Sequence, residues 1–474
     1  MSRAWAAFAG ALLCAAAAAA PTPAAPQLPP EVLAALQRAR VPTGAISIVV
    51  LDLDGDRPTL QWNEREPVNP ASLAKLLTTA AALEQLGPAW HWRTPVWLTG
   101  PVRDGVLDGS LVIQGRGDPT LVLERIWLLL RRVQALGVRQ IRGDIVLDGS
   151  AFAVPEMAPG DFDGAPLRPY NVEPAALLLN FRSVIYGFAP DTGAGVARVS
   201  AEPSLAGAAV DLSVPLSAGP CGDWRATLKA RFEPGRARFA GAYPTACGEL
   251  SWPVADPQPA SYDARLIEAL WRELGGQLQG RVRDGRAPVG IDPSFEWHSP
   301  PLAEVVRDIN KYSNNVMARQ LSLTLALQAV PQQPATPEAA REALTRWVVD
   351  ATGEPADDLV IDNGAGLSRS TRISAARLAR LLVRAYRGPV MSELMSSLPV
   401  SGLDGTLRRS RATPGRAHLK TGSLRDVTGV AGYVLSDSGR RYVLVAIVNH
   451  PQAGAAAPAL DALVQWTLRD APGR

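Results

Sequence analysis

The feature that most constrains this chain is a change of hydrophobic period along it. Over about residues 70–87, and again after about residue 292, apolar residues recur at helical spacing. Between about 97 and 290 the sequence breaks into short strand-like runs, many glycines and prolines, and turn dipeptides such as Asp108-Gly109 and Asp148-Gly149. A chain of 474 residues allows two or three packed units.

In the first region, residues 31–40 read as a short helix and residues 45–63 as a hairpin around Asp54-Gly55. The stretch NPASLAKLLTT then opens a buried helix. Pro70 suits a first helical position, Leu73, Leu76, Leu77, Ala80 and Leu83 follow at helical spacing, and Gly87-Pro88 ends the pattern, which puts Ser72 in the first turn. A helix over 261–276 closes the turn-rich region. Beyond it come three long helical periods: PLAEVVRDINKYSNNVMARQLSLTLAL, PEAAREALTRWVVDATG and SAARLARLLVRAYRG. They are followed by a strand at AHLKTGSL, two strands around Asp437-Ser438-Gly439, and a last helix, PALDALVQWTLRDA. That helix lacks basic residues on a polar face, so it is expected to dock on the core rather than lie on a membrane.

The first thirty residues carry Arg3, an apolar run to about Ala20 and small residues before Pro21, the pattern of a cleaved export signal. The run is short and alanine-dominated for a membrane span. Leu13 before Cys14 is too large for a lipoprotein signal. Export makes a Cys221–Cys247 disulfide the expected state of the two remaining cysteines, with two buried thiols as the alternative. A net charge of +3 without a basic run excludes a nucleic-acid surface. The four histidines show no metal-ligand spacing, so neither a metal nor a cofactor is expected.

The chain has only four lysines among its 48 basic residues. Lys75 stands three positions after Ser72, so the two side chains share a helix face. A buried lysine whose pKa is lowered can take a serine proton; arginine cannot. Alone, the pair is equally well an N-terminal serine beside a snorkelling lysine. Lys420-Thr421-Gly422 is the rarer signal. On its strand His418, Lys420 and Gly422 point one way, and a glycine there is expected to let a substrate backbone approach the sheet edge. KYSNN supplies Lys311, Ser313 and Asn315; only Lys229 falls outside these motifs.

Ser-x-x-Lys, Ser-x-Asn and Lys-Thr-Gly, in that order, form the signature of serine enzymes that react with penicillin. With GRGDPTL, DNGAGLSR and HLKTGSL, the chain from about Pro42 onward resembles the D-alanyl-D-alanine carboxypeptidase/endopeptidase family. These are the class C low-molecular-mass penicillin-binding proteins of the penicillin-binding protein 4 type. The long interval between Ser72 and Ser313 also resembles that family, whose members insert two domains there, one nested in the other.

The resemblance implies an α/β (α+β) fold: a serine β-lactamase/transpeptidase-like catalytic domain, with an antiparallel sheet flanked by helices, plus two inserted, mostly β domains. The implied division is a signal peptide at 1–20, catalytic segments 21–95 and 291–474, an inserted domain from 96–165 and 255–290, and a nested domain at 166–254. It implies Ser72 as nucleophile, Lys75 as its proton acceptor, and Ser313 with Lys420 as the route of the proton to the leaving group. Asn315 would hold Lys75 and the substrate amide. The Ser72 and Ser423 N–H groups would form the oxyanion hole, a role that a helix start facing a strand edge also fits. Thr421, Gly422 and Ser423 would border the terminal carboxylate, and Arg369 would contact substrate, unless it is a plain surface arginine. The implied partners are peptidoglycan stem peptides, with β-lactams as covalent inhibitors, outside the cytoplasm in the periplasm.

Two departures stand out. Tyr312-Ser313-Asn314 also matches the Tyr-x-Asn of β-lactamases and esterases in which tyrosine moves the proton. Arg425 lies where members of the family vary, and no role is assigned to it. Rival chemistries fit less well. There is no Gly-x-Ser-x-Gly elbow, and His418 reads as structural. No Glu-x-x-Asn lies between Ser313 and Lys420 to activate a deacylating water, so penicillin should acylate and stay. A non-catalytic peptidoglycan-binding module would not need all three motifs intact.

Overall fold

The structure is a computed structural model that describes residues 27–55 and 58–470. The export signal and Cys14 lie outside the described residues. Among those described, no helix is long and apolar enough to cross a membrane.

Both ends of the chain build one five-stranded antiparallel sheet, in the order Pro58–Trp62, Ile46–Asp52, Arg441–Asn449, Val427–Leu435, Ala417–Leu424. The central strands are Val- and Ile-rich because both faces are covered. One face packs on the first helix, Pro30–Ala39, and the last, Ala457–Leu468, so the last helix docks on the core as expected. The other face receives the Lys75–Leu86 helix together with Leu302–Tyr312, Asn315–Ala329, Pro337–Thr352 and Ala375–Arg387. Residues Lys75 to Leu83 are all buried. Fully burying one leucine-sized side chain contributes about 1.5–3 kcal/mol, so this helix is fixed from every side.

Two details differ from the sequence reading. Ser72 lies not in the α-helix but in a 3-10 turn, Ala71–Ala74, that precedes it, because Ala71 takes a left-handed φ of 47°. The period from Leu302 to Ala329 is two helices, not one. Ser313, at φ 55°, breaks it, and the Asn314 side chain caps the second helix by accepting from the Met317 N–H at 3.1 Å.

Between the two halves, Arg93–Leu98, Leu111–Gln114, Ile145–Asp148, Val282–Asp284 and Phe295–His298 form a mixed sheet. It is covered by helices Leu123–Ala135 and Pro259–Glu273; the first of these went unread in the sequence. Strands from Ser183 to Ala255, with one short helix at Trp224–Thr227, make a further, mostly β unit in which Cys221 and Cys247 are bonded, and its aromatic core runs on into the first.

Candidate active site

Three elements meet at one point. The Ser72 turn lies at the start of the buried helix, the Ser313 break lies between two helices, and the edge strand Ala417–Leu424 closes the third side. Lys75, fully buried, donates to Ser72 Oγ at 3.0 Å, to Asn315 Oδ1 at 2.5 Å and to the Ala365 carbonyl at 2.5 Å. Burial, and after it the Lys420 charge, push the Lys75 pKa well below that of an ordinary lysine. Lys420, also fully buried, donates to Ser313 Oγ at 2.8 Å and to the Thr421 carbonyl at 2.7 Å. Burial alone brings its pKa to about 7. Two serine hydroxyls thus each touch a lysine whose proton is loosely held.

Local backbone chemistry builds this arrangement. Asn69 accepts from the Ala71 N–H at 2.9 Å and donates to the Ser368 carbonyl at 2.9 Å. Its own backbone exchanges two hydrogen bonds with the Asn449 side chain, at 2.9 and 3.0 Å. These contacts hold Ala71 in a conformation that an L-residue adopts only at a cost of about 1–2 kcal/mol. From the other side, Asn363 Oδ1 accepts from the Ala365 and Gly366 N–H groups at 3.0 and 3.2 Å. That loop carries the carbonyl which receives Lys75. At Gly366, φ 76°, any Cβ would lie 1.8 Å from the Ala71 carbonyl oxygen, so only glycine fits. Asn69 and Asn363 escaped the sequence reading. Their signal is an Asn two residues before the backbone N–H from which its side chain accepts, the local pattern of an Asx turn.

Gly422 corrects an expectation. Its face of the strand looks at the Ser72 turn, not at open space for a peptide: a Cβ there would meet the Pro70 carbonyl oxygen at 2.7 Å and Leu73 Cγ at 3.1 Å. The glycine serves close packing inside the protein. The edge itself is available further along. Leu419 N–H bonds the Pro399 carbonyl, and strand alternation turns the Thr421 and Ser423 N–H groups to that same outer side. Ser423 is exposed, and Thr421 Oγ1 donates to Thr406 Oγ1 at 2.7 Å.

The remaining candidates separate. Tyr312 is 71 % exposed at a helix end, while Ser313 and Asn315 are the residues that reach the lysines. His418 is half-buried against the Met395 carbonyl at 3.3 Å, and burial lowers its pKa. Arg369 stands at the rim, half exposed, bonded to Asp426 at 3.1 Å with its guanidinium 4.8 Å over the Phe162 ring. Arg425, next to Asp426 in the chain, is exposed. Among the described residues no cluster could hold a metal.

Comparison with known proteins places this geometry. The chain is 28% identical to a D-alanyl-D-alanine carboxypeptidase of Actinomadura sp. (strain R39) over 462 residues, covering 91% of this chain and 82% of the relative. It is 22% identical to the D-alanyl-D-alanine carboxypeptidase DacB of Haemophilus influenzae over 421 residues, 88% of each. The crystal structure of penicillin binding protein 4 from H. influenzae superposes with a TM-score of 0.74 at 21% identity, over 92% of this chain and 99% of that one. A predatory endopeptidase from Bdellovibrio bacteriovorus shares the fold at a TM-score of 0.52 and 14% identity, over 90% and 93%. The D-Ala-D-Ala carboxypeptidase 3 (S13) family matches residues 30–469, and the chain belongs to that family.

Proposed function

We propose that the protein is a serine-type D-Ala-D-Ala carboxypeptidase that acts on peptidoglycan stem peptides and is acylated by penicillin. By the same chemistry it would open D-Ala-diaminopimelate cross-links. The observation that carries this reading is the pair of buried lysines, each bonded to a different serine at one site.

Lys75 takes the Ser72 proton as Oγ attacks the carbonyl of the penultimate D-Ala. Attack builds negative charge on the carbonyl oxygen, which the Ser72 and Ser423 N–H groups receive. Asn315 holds Lys75 through its oxygen and leaves its NH2 for the substrate amide. Ser313, backed by Lys420, passes a proton to the leaving D-Ala nitrogen, and water then hydrolyses the Ser72 ester. Thr421 and Ser423 hold the terminal carboxylate, and Arg369 meets the stem peptide at the rim. Gly422 sets the distance between strand and turn.

The same reading makes the protein exported to the periplasm, with its signal cleaved near Ala20. It divides the described chain into the catalytic segments 27–95 and 291–470, an inserted domain from 96–165 and 255–290, and a nested domain at 166–254. The experiment is release of D-alanine from a pentapeptide ending in D-Ala-D-Ala, by the wild type and by Ser72→Ala. Release by the wild type alone supports the proposal; equal release, or none from either, sinks it.

A further inference from the structure

Thr406 belongs to none of the three motifs, yet its hydroxyl meets that of Thr421 at 2.7 Å. It sits in a one-turn helix, Gly405–Leu407, whose position is fixed from below. Lys311, its side chain only 7 % exposed, donates to Asp404 Oδ2 at 2.6 Å, and Asp404 Oδ1 accepts from the Val400 N–H at 2.8 Å. A buried ammonium is costly unless paired, so this contact holds the turn tightly. Gly405, at φ 52°, lies so near the helix end that a Cβ would come within 2.6 Å of the Lys311 carbonyl oxygen. Lys311 is two residues from Ser313. The turn that carries Thr406 is therefore tied to the helix end that carries Ser313, and through Thr421 to the strand that carries Lys420.

Hydroxyl chemistry gives the arrangement a direction. A threonine hydroxyl has one proton and two lone pairs. Thr421 spends its hydroxyl proton on Thr406 and keeps its outward N–H for the carboxylate, while Thr406, on the exposed side, keeps its own hydroxyl proton for an incoming acceptor. Hydrogen bonds in such a chain strengthen one another.

We propose that Thr406 is a specificity-determining residue. Positioned by the Lys311–Asp404 ion pair and backed by the Thr421 hydroxyl, it donates a hydrogen bond to the terminal carboxylate of the substrate. This rests on the reading above, in which that carboxylate lies at Thr421.

The test compares Thr406→Val and Thr406→Ser on two ligand pairs: a D-Ala-D-Ala peptide as free acid and as C-terminal amide, and penicillin as free acid and as methyl ester. Losing one hydrogen bond to a charged group should raise KM for the acid peptide about tenfold and slow acylation by the acid penicillin about tenfold. Rates on the amide and ester should move less than twofold, and Thr406→Ser should restore the acid preference. Asp404→Asn should shift the same preference in the same direction. Wild-type preference in Thr406→Val, or equal losses on acid and neutral ligands, would overturn the inference. Ser72→Ala, run alongside, separates the two claims. If it keeps turnover, the proposed function fails; if it is silent while Thr406→Val behaves as wild type, only this inference fails.

Discussion

A Cβ at Gly422 would lie 2.7 Å from the carbonyl oxygen of Pro70, so the edge strand and the Ser72 turn meet with no room for a side chain between them. The contact sets the gap between the strand and the Ser72 turn, which carry the two N–H groups, of Ser72 and Ser423, proposed above as the oxyanion donors. Gly422→Ala must push strand and turn apart, since the obstacle is backbone and not a flexible side-chain end. We expect a stability loss of about 1–3 kcal/mol, typical of overpacking. Acylation by labelled penicillin should fall at least tenfold more than thermal stability alone explains, as a widened oxyanion site weakens both donors. An active, fully stable Gly422→Ala enzyme would show that the strand can retreat without consequence.

Lys75 places its ammonium against three oxygens while burial works against its charge. Lys75→Arg keeps a cation and loses the ability to deprotonate. Acylation of Ser72 by penicillin should drop by at least about a thousandfold, within the range expected for removing a general base and misplacing its neighbours. Intact-mass measurement reads this directly. Adduct formation at the wild-type rate would rule out Lys75 as the base.

Lys420 gives a pH signature. Its pKa is about 7 in the folded protein, against about 10.4 in an unfolded chain. Between these values the unfolded state binds more protons, so stability rises with pH through this window; below about pH 7 both states are protonated and the burial penalty is felt in full. Lys420→Met removes the penalty. Its stability advantage over wild type should be largest below pH 7 and shrink steadily toward pH 10 in chemical denaturation. Loss of the Lys420 charge also relieves Lys75, whose pKa should rise and carry the ascending limb of penicillin acylation to higher pH. A gap that does not change with pH would contradict the buried, readily deprotonated Lys420.

Sequence reasoning reached the lysine-bearing motifs because scarce lysine in an arginine-rich chain is conspicuous, and because helix and strand periods fix which side chains share a face. Hydrophobic period cannot report where a helix breaks when both halves are buried on similar faces. The Leu302–Ala329 run therefore read as continuous, although Ser313 turns left-handed in its middle. Nor does period show what a glycine faces. The strand pattern presents Gly422 as clearance for substrate, yet its neighbour is Pro70, 352 positions away in the chain. Lys311–Asp404 is invisible for the same reason, because 93 positions separate the two residues, whereas Thr406 and Thr421 lie only 15 apart but are joined by a loop that has no period to read.

Asn69 is the residue whose role is most separable from the chemistry. It touches neither lysine, yet it binds the Ala71 N–H and the Ser368 carbonyl, and its backbone is held by Asn449. Asn69→Ala leaves two buried polar groups without partners, at a cost of about 1–3 kcal/mol each, and removes what keeps Ala71 at positive φ. The turn should relax toward ordinary helical geometry and rotate the Ser72 N–H and Oγ away from the site. We expect kcat for D-alanine release to fall about a hundredfold while KM changes little, since the strand positions proposed to hold the carboxylate stay in place. Ala71→Gly, which removes the left-handed penalty, should restore part of the loss when combined with Asn69→Ala. The double variant performing no better than Asn69→Ala would mean that Asn69 acts through its contact with the Ser368 loop, and not by holding Ala71.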